Sequence, residues 1–465
     1  MLRKKTTAIR ILIILLLIVG YIYADVQLVQ GDKEVFIRKS TKSSFNDDSD
    51  TSFQIISTKQ HQIFLFDKNF SCISSSYNII SLHQLLVYQQ NKLLKPKLFH
   101  EGSLPRKTLG IIYRISKTIL IDMLIDEYLM LVQHEVFGHG DKFREFNLIN
   151  HTYKMNPFWP YGDGSGWAWA DYPNGRGMSY HEEMAISFNG SQSNKVLSKT
   201  MLNSILQYQN ITYRQALLYT LTNSDLIHYV YTTEKPTDIN SDEGNDVLNY
   251  LFMLNKYEYN KMDRAELTDN EEYLLFTDDF GLTLSKLKRM FFLDLLNPIQ
   301  LYSIWTIGKI HILDGKSNAS IPMFSVLQYR YLPQINLGFT PFGLEYILNN
   351  YFCHNNKVLN MHIRYGEPTF YSFWGVGINT YNYFTSKYFY LDIKIDIWNQ
   401  PSLLLYGNGI EKTSSGMGGE IILKLSRNII NSNLQFYTEI GYKSNGFIEG
   451  EILKNGMLYK IGLKL

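Results

Sequence analysis

The chain has 465 residues, enough for two or three domains, and its 45 basic and 43 acidic residues are dispersed and leave a net charge of +2. That balance excludes the basic stripe that a nucleic-acid partner requires. Two cysteines, Cys72 and Cys353, exclude a disulfide-built secreted scaffold.

In chain order, a basic start (Arg3, Lys4, Lys5, Arg10) precedes the apolar run Ile11 to Ala24, and Ile22-Tyr23-Ala24 offers a small-residue cleavage point before Asp25. This predicts a signal peptide over 1–24 and export of the rest. Residues 40–52, rich in Ser, Asp and Thr, read as a solvated linker, and 25–100 as a whole carry no assignment.

Residues 116–136 read as one long, largely apolar helix that ends in Gln133-His134-Glu135-Val136-Phe137-Gly138-His139-Gly140. A His–Glu pair followed by a second His is how zinc peptidases set two imidazoles beside a general base. The usual spacing, i and i+4, leaves the two about 40° apart on a helix. Here the spacing is i and i+5, about 140° apart on an ideal helix. One inserted residue, a π-bulge with Gly138 as the yielding position, would return both to one face.

Residues 134–139 resemble the His-Glu-x-x-Gly-His helix of the dipeptidyl peptidase III family and match it at every fixed position. The resemblance implies that His134 and His139 bind zinc and that Glu135 activates water. In that family a downstream Glu supplies the third ligand from a Glu-Glu-x-x-Ala-Glu helix. The nearest echo, His181-Glu182-Glu183-Met184-Ala185, implies Glu183, with Glu182 as its alternate and Glu145, Gln192 and His181 behind them. Asp126 and Asp141 are candidates to orient the imidazoles. A metzincin is excluded by Lys142 and Glu145, which stand where Gly and His are required. Lys117, Asp122, Asp126 and Glu127 on the motif helix argue against an intramembrane protease.

Residues 156–175, dense in Gly, Pro and aromatics, read as a long loop beside the motif. Helical periodicity follows at 194–208, after Ser241 as a cap, and from Thr283 to Leu296. Beyond about residue 318 the period changes to two, in Val358–Tyr365, Thr369–Tyr381, Tyr388–Ile397, Gly416–Ser426, Leu434–Tyr442 and Met457–Leu465. Strands of about ten residues, apolar on one face and charged on the other, resemble the outer-membrane β-barrels of Gram-negative bacteria. That resemblance implies an antiparallel barrel of eight to ten strands over 318–465.

The expectation is therefore an α+β chain: a mainly helical, metalloprotease-like domain over 101–317, facing the periplasm, and then the barrel. The function expected is a zinc metallopeptidase acting on peptide or protein and tethered to the outer membrane. Its rival is a non-catalytic barrel, a channel or adhesin with a structural metal or none.

Overall fold

The computed structural model describes residues 62–94, 103–158, 162–173, 177–234, 244–262, 281–386, 389–406, 410–429 and 434–464. The expected signal peptide and linker lie outside these residues. Gln60–Leu465 form one compact unit, in which the helical and strand segments pack together.

The helices are α1 (Cys72–Leu94), α2 (Leu104–Lys117), α3 (Met123–Val132), α4 (Gly140–Glu145), α5 (Tyr180–Tyr208), α6 (Tyr213–Thr232), α7 (Asp246–Lys261), α8 (Leu284–Leu295) and α9 (Pro298–Trp305). From α2 to α4 the helix is continuous, with π-helical turns at Thr118–Asp122 and Gln133–His139; a third, Thr306–Leu313, extends α9. Capping boxes start the two central helices: Ser179 with Glu182 for α5 and Thr212 with Gln215 for α6.

The strands, in chain order, are β1 (Ile63–Phe66), β2 (Ile149–Met155), β3 (Gly166–Asp171), β4 (Asn210–Thr212), β5 (Asn318–Ser320), β6 (Phe324–Val326), β7 (Tyr329–Thr340), β8 (Gly343–His354), β9 (Lys357–Gly366), β10 (Trp374–Tyr381), β11 (Phe384–Thr385), β12 (Phe389–Gln400), β13 (Leu404–Tyr406), β14 (Ile410–Lys412), β15 (Gly416–Asn428), β16 (Gln435–Lys443) and β17 (Gly456–Lys464). One antiparallel sheet runs β1-β17-β16-β15-β12-β10-β9-β8-β7-β6, with β11 paired to β12. The α+β class and the antiparallel C-terminal sheet are as the sequence implies.

The expected barrel is not formed. No ladder joins the edge strands β1 and β6 among the described residues. At the β1 edge, side chains of a helix stand where a next strand would be. Ser81 Oγ accepts from Ile63 N and donates to Ile63 O, and Asn78 does the same for Leu65 through Oδ1 and Nδ2. β1 itself comes from the stretch that carries no assignment from sequence. The loop expected at 156–175 contains β3, which pairs with β2 in a hairpin.

The sheet is inverted relative to a water-soluble sheet. Ile395, Ile397, Ile421, Leu423, Ile440, Tyr459 and Ile461 are exposed, while Lys394, Asp396, Glu420, Lys424, Glu439 and Lys460 are buried or nearly so. Along β17, Ile461 is 55 % exposed and its neighbour Lys460 is 4 % exposed. The inward charges pair with one another, as in Lys394–Glu420 at 2.6 Å and Lys460–Glu439 at 3.3 Å. Lys394, Asp396, Lys424, Glu439 and Lys460 line a cavity of about 140 Å³ against α1 and α5 that also takes in His362, Arg364 and Glu451.

Candidate metal centre

The π turn expected at the motif is present at Gln133–His139. It brings the two imidazoles to one side, with ring centroids 5.1 Å apart. Side chains of α5 donate to two carbonyls of this turn. Ser193 Oγ donates to Gln133 O at 2.8 Å, and Asn189 Nδ2 donates to Gly138 O at 2.7 Å. Gly138 lies within this π turn and has a further role. A Cβ there would come within 2.7 Å of Gly190 Cα, so glycine lets the two helices touch.

The third member of the cluster is Asp246. His134 Nε2 and His139 Nε2 each lie 3.2 Å from Asp246 Oδ2, and the three donor atoms fall within 4.8 Å of one another. Among the described residues this is the group of three His, Cys, Asp or Glu side chains able to hold a metal ion. Asp246 is the first residue of α7. Asn245 caps that helix by accepting from Val247 N and Leu248 N, and the positive helix end favours the carboxylate. The cap expected at Ser241 lies outside the described residues.

Glu183 is not in the cluster: it sits partly buried in the first turn of α5. Its rivals have other partners. Glu182 accepts from Ser179 N and Tyr406 N, and His181 Nδ1 accepts from Leu404 N. Glu145 holds Lys142 and Leu453 N, and Gln192 donates to Glu449. Asp246 had a faint signal in the sequence. An acid at a helix start reads as dipole complementation, and no spacing rule links position 246 to position 134.

The imidazoles are oriented from behind. His134 Nδ1–H donates to Asp225 Oδ2 at 3.1 Å, which Asn194 also holds, and His139 Nδ1–H donates to Ile186 O at 2.8 Å. Both Nε2 atoms therefore face the shared cradle. Asp126 and Asp141 do not serve here; Asp126 holds Arg214 and His83, and Asp141 faces Lys142.

Charge in the cradle is tightly coupled. Burial opposes protonation of His134 and His139, yet Asp225 and Asp246 outweigh it and raise both above the ordinary imidazole value. Burial would raise Asp246, but the two imidazoles hold it well below the usual carboxylate range. Burial raises the Glu135 carboxyl against the pull of the imidazoles, and its Oε2 has no hydrogen-bond partner. Tyr229 stacks on His134 at 5.3 Å. Burial, together with Asp246, Asp225 and Glu135, keeps its phenol firmly protonated, so it is a donor.

The donor set fits a divalent cation. A Cβ on Gly190 would fall 2.4 Å from His134 Nε2 and 2.5 Å from His139 Nε2, so glycine leaves open the point where both lone pairs converge. Two neutral imidazoles and one carboxylate are a set that zinc accepts. Compared with protein-family models, with curated proteins and with solved structures, the chain matches none.

Proposed function

We propose that this protein is a zinc-dependent hydrolase with peptidase chemistry, anchored in the outer membrane by the outward face of its sheet. The observation that carries the catalytic reading is the cradle of His134, His139 and Asp246 beside the buried carboxyl of Glu135, whose Oε2 has no hydrogen-bond partner. Zinc held there would polarise a substrate carbonyl and make a nearby water more acidic. Glu135 takes the proton of the attacking water and passes it to the leaving amine, a task suited to a carboxyl whose affinity for protons is raised by burial. Tyr229, kept protonated, donates to the developing oxyanion. Asp225 and Ile186 O hold the imidazoles in the tautomer that leaves Nε2 free.

Membrane anchoring is supported by the alternation of exposed aliphatics with buried polar and charged side chains along β7 to β17, the reverse of what water favours. Strands β7, β8, β9, β12, β15, β16 and β17, of 9 to 13 residues, are long enough for a bilayer core. Apart from any sheet, no helix among the described residues is long and apolar enough to cross a membrane by itself.

The deciding experiment measures metal content and hydrolysis of a quenched-fluorescent peptide library, with the protein in detergent. About one zinc per chain is expected in the wild type and in Glu135→Gln, with turnover in the wild type alone, and Asp246→Ala should lose the metal. Equal turnover by wild type and Glu135→Gln would overturn the catalytic reading. Bound zinc without turnover on any peptide would leave a structural metal site.

A further inference from the structure

We propose that α2, the last turn of α8 and α9 face lipid as the sheet does, so that helix and sheet together form one apolar belt around a polar interior. The proposal rests on the membrane anchoring put forward above and extends it to the part of the chain that the sequence places in the periplasm.

The first support is the inversion of α2 and its π extension. Leu109, Ile112, Ile115 and Ile119 point outward, whereas Arg114, Lys117, Thr118 and Asp122, which follow each other at helical spacing, are buried. Ile112 is 54 % exposed and Arg114 is 2 % exposed. Every inward charge has a partner. Lys117 Nζ lies 2.8 Å from both Asp122 oxygens, Arg214 reaches Asp122 at 2.8 Å and Asp126 at 2.7 Å, and Arg114 Nε donates to Ile312 O at 2.9 Å. In water the opposite arrangement would be favoured, with these charges solvated and the aliphatics in the core.

The same inversion recurs from the last turn of α8 through α9, while the earlier turns of α8 bury Leu284, Leu287, Met290 and Phe291 in the core in the ordinary way. Leu296, Leu301, Ile304 and Trp305 are exposed; Asp294, Gln300, Ser303 and Thr306 are buried, with Asp294 paired to Lys195 and Gln300 accepting from Asn223. Hydropathy averaged along a helix cannot register such a wall, because the inward face cancels the outward one. A stretch that faces lipid on one side alone needs no uninterrupted apolar run.

Position is the second support. Helices adjoin the sheet near both of its ends, α1 at β1 and α8 against β7. α1 satisfies the edge of β1 through Asn78 and Ser81, and the Tyr302 hydroxyl of α9 donates to Ser320 O just ahead of β6. An open sheet edge in hydrocarbon would leave backbone groups unpaired, so helical neighbours there have a physical purpose. The outward apolar stretch runs from Leu109 to the turn of Asp122, about 20 Å of helix, and the exposed Arg106 and Lys107 ahead of it would meet the headgroups of a bilayer whose core is about 30 Å. His134 lies some 18 Å further along the same helix, so the metal centre stands beyond one end of this stretch.

The test uses cysteine variants carrying a nitroxide, one site at a time, in the full chain reconstituted into phosphatidylethanolamine–phosphatidylglycerol vesicles. The native Cys72 and Cys353 are buried and stay unlabelled in the folded protein. Labels go at Ile112, Ile119 and Ile304 on the helices, at Ile395 and Ile461 on the sheet, and at Glu411 as the control for water. Collisions with oxygen, which partitions into lipid, are compared with collisions with a water-soluble nickel chelate, and circular dichroism confirms folding of each variant. The helix labels should match the sheet labels in favouring oxygen severalfold, while Glu411 favours nickel. Helix labels that favour nickel beside sheet labels in lipid would overturn this proposal and leave the anchoring sheet intact. Helix labels shielded from both reagents would mean a protein partner covers the face, and would also overturn it. Sheet labels in water would defeat the anchoring reading itself.

Discussion

Gly190 of α5 stands against His134 so closely that a Cβ would lie 2.4 Å from His134 Nε2, in the space on which both imidazoles converge. Gly190→Ala should therefore abolish metal binding by filling the cradle, although alanine is the better helix former. Elemental analysis beside far-UV circular dichroism checks this. A folded Gly190→Ala protein with one metal per chain would mean that the ion, if bound, sits elsewhere.

Asp225 touches the cradle only through His134 Nδ1, so its effect should be on affinity and ligand orientation. Asp225→Asn is expected to weaken zinc binding by roughly 10- to 100-fold, read by competition with a chromogenic chelator. An unchanged dissociation constant would remove Asp225 from the site. Affinity should also fall with pH, because His134 and His139 must give up protons to become ligands.

Tyr229 is stacked on His134 and held protonated by burial and its carboxylate neighbours. Tyr229→Phe keeps the ring and removes the donor. Turnover should fall by about 10²- to 10³-fold with little change in KM, the pattern of a group that acts in the transition state. A change in KM with kcat intact would make it a binding residue instead.

His181 gives a pH dependence of folding that is separate from the metal. Its Nδ1 accepts from Leu404 N at 2.8 Å, and burial, helped by Lys261, pushes its pKa down to about 3. The unfolded imidazole titrates near 6.5. Above that value neither state is protonated and stability is complete. As pH falls below it, the unfolded chain binds a proton that the folded chain refuses, so stability is lost progressively toward pH 3. The loss is roughly 3–5 kcal/mol at full extent. Thermal midpoints of the wild type and His181→Asn should converge as pH drops from 7.5 to 4. Parallel midpoints would show that His181 is protonated in the fold.

What could be read locally was read from the sequence. The π turn follows from the i and i+5 spacing of His134 and His139, since one helix face must carry both imidazoles. Strands β9, β12, β16 and β17 follow from period-two alternation, which a single chain segment contains in full. β7 and β8 are harder to see, because Tyr329–Thr340 and Gly343–His354 mix Asn and Gln among their apolar residues.

Tertiary structure decided the rest, for two reasons. First, a third ligand is a meeting of helices, and Asp246 stands 112 residues from His134 with only an Asn cap to distinguish it. Second, periodicity gives two faces to an element without saying which is inside. Lys117, Asp122 and Asp126 count as charges against a membrane when read along the chain. Folded, they meet Arg214 and one another in the interior, and the aliphatic face of the same helix turns outward. The sequence alone thus determined the spacing of the ligands and the period of the strands. The direction of each face was set by partners distant in the chain, because a buried charge is tolerated only where another segment brings its counter-charge.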